Sequence, residues 1–444
     1  MKATRAWVGV DVGTSRIKAL AWSDSGKMAL AACETPWQDR RIDGEVLAQA
    51  ALKTVLNSVE AWGPEVRVAA VGVTSMGETG LWVDRRGPCG PVVGWQDERD
   101  TAEVYARFQA TFDRAAVFAQ TGIAASPKFG LFRMAVQDRS GPEASWLQVA
   151  DWVIYRWSGG ARITHANLAA RTMALDWRTA SWRADLLEFA AATPANLPEI
   201  HRGPYPVAAF RADSGDRRLR STILAHAGHD HASAYYGARL PQGIALDSSG
   251  TAEPWVLEAN GPYLSAEALK HGMMWAPSLS GSGFVGLLPT PAGGAAERWA
   301  RSLFGQETAG EPGGVEFRAE GFGQGRATFH GLGPDVRPAM LYEAVLTGVA
   351  VSLGAGLDAL RQITGESLGD VAWTGGAVAH RRWTEIRLAR IGARLWALDP
   401  SEAAALGALR GAMAADSSAA LEEPGLRWRD VSGQSEGAPP WLAR

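Results

Sequence analysis

The chain has 444 residues, of which 46% are hydrophobic and 20% are charged, and its formal net charge is −3. Because one domain usually takes about 100–200 residues, this length predicts two or three folded cores. The apolar fraction excludes a mainly disordered chain. The small net charge gives no bulk electrostatic reason to expect binding to nucleic acid or to an anionic membrane.

The absence of recognisable targeting signals and the small number of cysteines both predict a cytoplasmic protein. The N-terminus runs directly into a strand-like segment and shows no signal-peptide core, and no run of about 18 uninterrupted apolar residues occurs. Cys33 and Cys89 are too few for a disulfide framework or a four-thiolate zinc site. We expect both cysteines to be structural.

The first half of the chain alternates strand and turn signals before a largely helical region, which covers residues 99–220. The elements that precede this region are predicted to be, in chain order, strands over residues 7–11, 17–22 and 28–33, a helix capped by Asp43, a strand over residues 66–74 that is buried on both faces, and a hairpin over residues 81–95.

The second half begins a new strand near Ile244. Residues 277–294 are rich in Gly, Ser and Pro and are predicted to be loop. The later elements are predicted to be a helix over residues 341–360, a strand over 371–374, a Gly-Gly turn, a helix over 382–391, a strand over 395–398 and a helix over 402–413. This alternation indicates an α/β fold. The residues after Asp416 are expected to add little to the core.

The two halves of the chain share a weak internal sequence similarity. Gly13-Thr14 and Gly250-Thr251 each follow a strand pattern and a small or acidic residue. Two such turns in one chain predict two related α/β halves that face each other. Gly-Thr pairs are common, so this similarity alone is weak evidence for two related halves.

Residues 11–18, with the sequence DVGTSRIK, place a carboxylate, a tight turn and a lysine at the end of a predicted strand. The backbone N–H groups and hydroxyls of such a turn suit phosphate oxygens, Asp11 suits hydrated Mg²⁺, and Lys18 is long enough to reach a phosphate. A plain β-hairpin with an Asx-type turn explains the same residues without a ligand. The motif alone leaves both interpretations open.

A second candidate is Asp230, in the sequence GHDHASA at the start of a predicted helix. A carboxylate there is suited to accept a proton from a substrate hydroxyl. Alternatively, Asp230 is an ordinary helix N-cap. His229 and His231 are adjacent, but alternate residues of a turn rarely converge on one metal ion, so we interpret both as structural.

A third candidate combines Trp95, Asp97 and Arg99, just after a strand, with Glu78 in an earlier loop. An aromatic ring with charged hydrogen-bond partners is what a polyhydroxylated ligand needs. A surface ion pair beside a packed tryptophan is the alternative. By contrast, the G-x-G-x-x-G match at residues 281–286 lacks the strand and helix that a dinucleotide site requires.

Taken in order, these segments resemble the FGGY family of carbohydrate kinases, within the actin/Hsp70/hexokinase-like ATPase superfamily. The similarity covers nearly the whole chain. Its segments are GVDVGTSRIKA (9–19) for the first phosphate motif, VAAVGVTSMGETGLWVD with WQDER (68–99) for the sugar-binding loops, GHDHASA (228–234) for the catalytic aspartate and DSSGTAEP (247–254) for the second phosphate motif. The segments PAGGAAERW (291–299) and TGGAVAHRRWTEI (374–386) resemble the nucleotide site, and SEAAALGAL (401–409) follows them.

The resemblance implies an α/β fold with two actin-like (ribonuclease H-like) lobes and a catalytic cleft between them. The N-terminal lobe, residues 1–240, would hold the sugar site and the first phosphate motif. The C-terminal lobe, residues 241–430, would bind the nucleotide, and residues 431–444 would form a tail.

The resemblance also implies a role for each motif residue. Asp230 would be the general base, and Asp11 would hold Mg²⁺ through water. The substrate contacts would be Glu78, Trp95, Asp97 and Arg99. The ATP contacts would be Gly13, Thr14, Ser15, Lys18, Gly250, Thr251, Gly294, Arg298, Gly375, Gly376 and His380.

The function expected from this resemblance is ATP-dependent, Mg²⁺-dependent phosphorylation of a small sugar, sugar acid or polyol. The loop SMGETG (75–80) differs from the Gly-Gln-Met-His type of xylulokinases, which argues against xylulose. The alternative is a non-catalytic ATP-binding regulatory or assembly protein of the same superfamily. No nucleic-acid or membrane partner is expected, and a homodimer is an open option.

Overall fold

The computed structural model describes residues 4–203, 206–211, 216–416, 423–433 and 438–443. The strands before residue 240 are β1 (Arg5–Val12), β2 (Arg16–Ser23), β3 (Met28–Glu34), β4 (Arg41–Ile42), β5 (Arg67–Ser75), β6 (Gly80–Asp84), β7 (Gly87–Pro88), β8 (Val92–Val93), β9 (Ser145–Gln148), β10 (Ile163–His165), β11 (Leu175–Asp176), β12 (Ser181–Trp182), β13 (Glu199–His201), β14 (Pro206–Ala209) and β15 (Ile223–His229). The helices there are α1 (Gly44–Val59), α2 (Ala102–Thr111), α3 (Arg114–Thr121), α4 (Gly130–Val136), α5 (Val149–Ser158), α6 (Ala166–Ala169), α7 (Ala184–Phe189) and α8 (Asp230–Gly237).

The remaining elements follow residue 240. The strands are β16 (Ala245–Ser249), β17 (Trp255–Ala259), β18 (Met274–Pro277), β19 (Phe284–Leu288), β20 (Glu316–Arg318), β21 (Thr328–His330), β22 (Asp370–Gly375), β23 (Arg394–Asp399) and β24 (Arg427–Asp430). The helices are α9 (Ala266–Lys270), α10 (Gly294–Phe304), α11 (Pro338–Thr364), α12 (Arg381–Leu388) and α13 (Ala403–Ala415).

The first large sheet has the strand order β14-β15-β5-β1-β2-β3. Strands β1, β2 and β3 form an antiparallel meander, as the turn signals predicted, whereas β5 and β15 run parallel to β1. The carboxyl ends of β1, β5 and β15 therefore lie at one edge of the sheet. Asp11 near the end of β1 and Asp230 just after β15 lie at that edge.

The second large sheet repeats this topology, with the order β18-β19-β17-β16-β22-β23-β24. Strands β16, β17 and β19 are antiparallel neighbours, and β22 and β23 run parallel to β16. Gly13-Thr14 follows β1 and Gly250-Thr251 follows β16, the first strand of each sheet. The prediction of two related α/β halves with actin-like topology is confirmed.

Helix α13 packs on the first sheet, although in the chain it lies between β23 and β24 of the second sheet. Leu406, Leu409 and Ala412 of this helix are buried with Trp7 and Leu20 of the first sheet. The close approach depends on the absence of side chains in the sheet, because a Cβ on Gly72 in β5 would lie 1.9 Å from the carbonyl oxygen of Ala408. The helix therefore connects the C-terminal part of the chain to the strands that lead to Asp11 and Asp230.

We expect Gly72→Ala to destabilise the protein by about 2–3 kcal/mol, because the added methyl group forces β5 and α13 apart. Urea unfolding measures the change. Gly90→Ala is the matched control, since a Cβ at Gly90 meets no atom within 4 Å. Equal stabilities of the two variants would show that the sheet and helix are free to separate at no cost.

Two regions that were predicted to lie outside the core contribute to it. Residues 277–294 were predicted to be loop, but they contain β19, which is buried and paired with β17 and β18. The glycines cluster in the β18–β19 turn, where Gly281 and Gly283 have positive φ values. The G-x-G-x-x-G match therefore begins in a hairpin turn, and the prediction that no strand precedes it is wrong. The residues after Asp416 also pack, because β24 extends the second sheet and Trp441 is 6% exposed beside Trp396 and Trp428.

Helix α11 is long and apolar enough to cross a membrane by length and composition, with a mean hydropathy of 1.5 over an 18-residue window. The sequence-based prediction of no membrane span rested only on the lack of an uninterrupted apolar run, and helix α11 meets a different criterion. Within the fold, 61% of that window is buried. Its apolar residues, including Val345, Val349 and Leu353, pack in the core of the second sheet, as expected for a core helix.

Candidate active site

The predicted first phosphate turn, Gly13 to Ser15, joins β1 to β2 and accepts hydrogen bonds from two tryptophans. The Gly13 N–H donates to Arg16 O at 3.1 Å, and the indole nitrogens of Trp37 and Trp95 donate to Thr14 O and Thr14 Oγ1 at 2.6 and 2.8 Å. The turn is therefore a β-hairpin. The Asp11 side chain does not close an Asx turn through Oδ1, which has no hydrogen-bond partner among the described residues.

The second phosphate turn faces the first across the cleft. Ser15 Oγ lies 2.8 Å from Thr251 Oγ1, and Arg298 Nη2 donates to the same hydroxyl at 3.2 Å. A cavity of about 400 Å³ opens here, and its walls include Thr14, Ser15, Trp95, Thr251 and Arg298. The fold thus brings together predicted residues that are separated by more than 200 positions.

The start of α10 packs directly on the second turn. Gly294 N and Ala295 N donate to Gly250 O and Thr251 O, both at 3.1 Å. A Cβ on Gly294 would lie 2.5 Å from Gly250 O, so this position requires glycine. The packing places Arg298, one turn into the helix, beside Thr251.

Gly375 and Gly376 lie where β22 ends next to the second turn. Gly375 has a φ of +99°, and a Cβ there would lie 1.9 Å from Ser249 O. Gly376 has open space at its Cβ position, which leaves its backbone accessible. His380 caps α12 by accepting from Trp383 N at 3.1 Å, and its Nε2 is 3.2 Å from the Tyr342 hydroxyl; both ring nitrogens thus have partners within the protein.

Asp11 and Asp230 form a pair of carboxyl groups at the edge of the first sheet. Asp11 is 9% exposed, and burial together with the charge of Asp230 raises its pKa to about 8. Burial likewise raises the pKa of Asp230 to about 7. Ionising two neighbouring buried carboxyl groups is costly, and a divalent cation bound beside them would reduce that cost. The unpaired buried oxygen of Asp11 is suited to this role.

Asp230 is the first residue of α8, whereas the N-cap position belongs to His229. The alternative interpretation of Asp230 as the N-cap is therefore wrong. Its Oδ1 accepts from His231 N at 2.7 Å and lies 3.1 Å from His229 Nε2. These contacts orient the carboxyl group and leave Oδ2 available.

His229 and His231 support the Asp230 turn. His231 Nδ1 lies 2.8 Å from Ser248 Oγ, and burial lowers the pKa of His231 to about 3 and the pKa of His229 well below its ordinary value. Both are neutral at physiological pH. Among the described residues, no group of three or more His, Cys, Asp or Glu side chains is arranged as a metal site.

Lys18 forms an ion pair with Glu402, at the start of α13. Lys18 stands opposite Asp11 in the β1–β2 register, and its charge acts to lower the pKa of Asp11. Glu402 was not singled out from the sequence, because no local pattern links it to a residue 384 positions away.

The predicted sugar contacts divide into two groups. Trp95 lines the cleft cavity. Asp97, by contrast, is 2% exposed, and both of its oxygens accept from Arg99, at 2.6 and 2.7 Å, which lowers the pKa of Asp97 to about 2. Arg99 also contacts Asp39 at 3.0 Å, so Asp97 and Arg99 form an ion pair in which the Asp97 carboxylate is buried, unlike the surface pair of the alternative interpretation.

Glu78 is buried and pairs with Arg171 and with Lys128. The charges of these two cations hold its pKa below the ordinary value despite burial. Neither partner was among the predicted site residues. Lysine is scarce in this chain, which marks Lys128 as unusual, whereas Arg171 lies among 38 arginines and carries no sequence signal.

A second buried charge cluster supports the C-terminal phosphate turn. Arg387 is fully buried and pairs with Asp247 of β16 and with Glu253. Its guanidinium also lies 4.8 and 4.5 Å from the ring centres of Trp373 and Trp383. The cluster anchors both ends of the segment that contains Gly250 and Thr251.

Two related sheets, each with a Gly-Thr turn after its first strand, define a two-lobed α/β protein with the actin-like ATPase fold. Residues 6–237 match the family model for the N-terminal domain of the FGGY family of carbohydrate kinases, and residues 321–415 match the model for its C-terminal domain. The chain belongs to the FGGY family of carbohydrate kinases. It is a phosphotransferase of the class that uses ATP as a substrate.

Curated relatives and solved structures agree with this assignment. The chain is 27% identical to a glycerol kinase of Methylobacterium nodulans, over 87% of this chain and 84% of the relative, and 28% identical to one of Gloeobacter violaceus, over 84% and 80%. Its fold is similar to a xyloylose kinase from Brucella ovis (TM-score 0.77, 20% identity, 93% of this chain and 91% of that one). A gluconate kinase from Lactobacillus acidophilus is also similar (TM-score 0.76, 17% identity, 93% and 89%).

Proposed function

We propose that the protein transfers the γ-phosphoryl group of ATP to a hydroxyl of a small sugar, sugar acid or polyol, with Asp230 as the general base and Mg²⁺ held by Asp11 through water. The pair of carboxyl groups, Asp11 and Asp230, beside the first phosphate turn carries this proposal. The alternative of a non-catalytic regulator is not retained, because the chain is a carbohydrate kinase with both carboxylates in place.

Asp230 is suited to take the proton of the accepting hydroxyl. Its pKa of about 7 lies near the working pH, where a general base is most effective. Oδ1 is engaged by His231 N and His229, so Oδ2 receives the proton. The hydroxyl oxygen then bonds to the γ-phosphorus in line with the breaking bond to ADP.

The turns are suited to hold the phosphates. The hydroxyls of Thr14, Ser15 and Thr251 and the exposed backbone of Gly376 offer donors to phosphate oxygens, and Arg298 adds a positive charge. Asp11, with its unpaired buried oxygen, is suited to hold a hydrated Mg²⁺. When bound, that ion offsets the negative charge on the phosphate oxygens.

The contact between Ser15 and Thr251 supports a cleft that closes over the reactants and keeps water from the γ-phosphate. We propose residues 1–240 and 241–430 as the two lobes and 431–444 as the tail, with residues 434–437 and 444 of that tail outside the described residues. Helix α13 belongs to the second range but packs on the first sheet. A cytoplasmic location and a homodimer stay predictions.

Coupled measurement of ADP release against a panel of small sugars, sugar acids and polyols tests the function. We expect release from Mg-ATP to depend on one panel member and to be negligible without it. Binding of nucleotide with no stimulation of ADP release by any acceptor would contradict the proposal.

A further inference from the structure

Three buried or half-buried cations surround one carboxylate next to Asp230. Lys128 and Arg171 both contact the same oxygen of Glu78, with Lys128 Nζ at 3.5 Å. Arg133 is held by main-chain oxygens instead, at 3.1 Å from Asp97 O and 3.2 Å from Lys128 O. Because Glu78 neutralises only one of the three charges, the cluster keeps an excess of positive charge.

No other carboxylate of the described residues forms an ion pair with these three cations, although the charges of Asp97, Glu98 and Asp100 act on Arg133 and the charge of Arg171 acts on Asp230. The charge of Glu98 acts on both Lys128 and Arg133, but Glu98 is in no ion pair within that part of the chain, and burial raises its pKa. The carboxylate of Asp97 is occupied by Arg99. Glu78 is therefore the only carboxylate among the described residues that forms an ion pair with any of the three cations.

The cluster also contains hydrogen-bond donors without acceptors. Arg171 Nε and Nη1 and Arg133 Nη2 are buried and have no partner among the described residues. The Arg171 side chain is 3% exposed and Arg133 is 1% exposed. Leaving charged donors unsatisfied in the interior is costly, so a bound acceptor is the natural explanation for their retention.

The cluster adjoins the proposed general base. A Cβ on Gly77 would lie 3.0 Å from Arg171 Cγ and 2.8 Å from His229 Cδ2, so Arg171 occupies the space beside the residue that contacts Asp230. The charges of Glu78 and Arg171 both act on Asp230. The Lys128 side chain is 23% exposed, so part of it is accessible from solvent.

We propose that the acceptor substrate is a small sugar acid, whose carboxylate binds Lys128 and Arg171 while one of its hydroxyls faces Asp230. This inference rests on the proposed function and narrows its substrate class. A carboxylate supplies both the missing negative charge and the missing acceptors, through charge-assisted hydrogen bonds. A neutral polyol of the same length leaves both unsatisfied. A phosphate ester offers similar acceptors, and the experiment separates the two.

The test compares kcat/KM for acids and alditols of equal carbon number, namely glycerate with glycerol, xylonate with xylitol and gluconate with glucitol, and adds glycerol 3-phosphate. We expect one acid to exceed its alditol by roughly 100-fold or more, because a site built for a charged group rejects an analogue that lacks it. Equal or better use of an alditol overturns the inference but leaves the kinase function intact. Preference for the phosphate ester overturns the assignment to a carboxylate.

A variant shows whether Lys128 sets this preference. Lys128→Met removes the ammonium group and keeps the Glu78–Arg171 pair. We expect KM for the acid to rise roughly 10-fold or more with little change in kcat, while KM for the alditol changes much less. Lys53→Met, on the exposed side of α1, is the control and should match the wild type. Equal changes for acid and alditol, or none, contradict the inference.

If no member of the panel stimulates ADP release, the proposed function is contradicted. The binding of acids and alditols, measured as a shift in Tm, then tests the substrate class independently of catalysis. In the presence of ADP, gluconate, xylonate or glycerate should raise the Tm of the wild type more than the matching alditol does. Lys128→Met should abolish that difference. Identical Tm shifts for acids and alditols overturn the inference.

Discussion

Asp230→Asn is expected to lower kcat by about 10³-fold, because an amide cannot take the proton of the accepting hydroxyl and general-base catalysis contributes about 10²–10⁴-fold. The substitution keeps the shape of the side chain and the start of α8. Folding should be retained, with Tm unchanged or higher, because burial raises the pKa of Asp230 and makes its ionisation costly in the folded state. The measurement is steady-state ADP release together with thermal unfolding.

Asp113→Asn is the matched control for this variant. Asp113 caps α3 through Ala115 N and Ala116 N, and asparagine caps helices about as well as aspartate. This variant should keep wild-type kcat and Tm. A kcat of Asp230→Asn above about a tenth of the wild-type value would remove Asp230 from the role of general base.

Asp11→Asn is expected to reduce the Mg²⁺-dependent activity by about 10²-fold or more, because the asparagine amide is a poorer partner for a hydrated divalent cation than a carboxylate. Thermal stability should change in the opposite direction. In metal-free buffer at pH 8, Tm of the variant should exceed that of the wild type. Added MgCl₂ should raise the Tm of the wild type and not that of the variant.

The sign of the stability effect follows from the pKa of Asp11. Its folded-state pKa of about 8 exceeds the ordinary value of 3.8, so the unfolded chain releases the proton first and folding becomes less favourable as pH rises between these values. The Tm difference between variant and wild type should therefore shrink toward pH 4. Asp24→Asn, in the exposed turn between β2 and β3, is the control. A variant less stable than the wild type at pH 8 would contradict the prediction.

Local patterns predicted the elements that carry the phosphate turns. The β1–β2–β3 meander, the buried strand β5, the long helix α11 and the β22–β23 region are confirmed in place. These elements have clear turn residues or a regular apolar period, which depend only on near neighbours. Strand β19 was missed because glycine and serine in the preceding turn masked a short apolar run.

Long-range packing decided what local patterns left open. Helix α13 was predicted as a helix, yet nothing in its sequence shows that it packs on the first sheet. The tail was expected to add little to the core, whereas Trp441 packs against Trp396 and Trp428. Which strand or ring a distant segment meets depends on the topology of both sheets, and local periodicity does not contain that information.

The motif residues themselves could be read from the sequence. The order of the segments that contain Asp11, Asp230 and Thr251 resembles that of the FGGY family, and the family models confirm the membership, while the roles of these residues stay predictions. Only the tertiary structure decided that Ser15 meets Thr251 across the cleft. It also decided that Lys128 and Arg171 share the single carboxylate of Glu78. The physical reason is that a sequence specifies which charges exist, while their partners and burial, and hence their energies, are set by contacts between residues far apart in the chain.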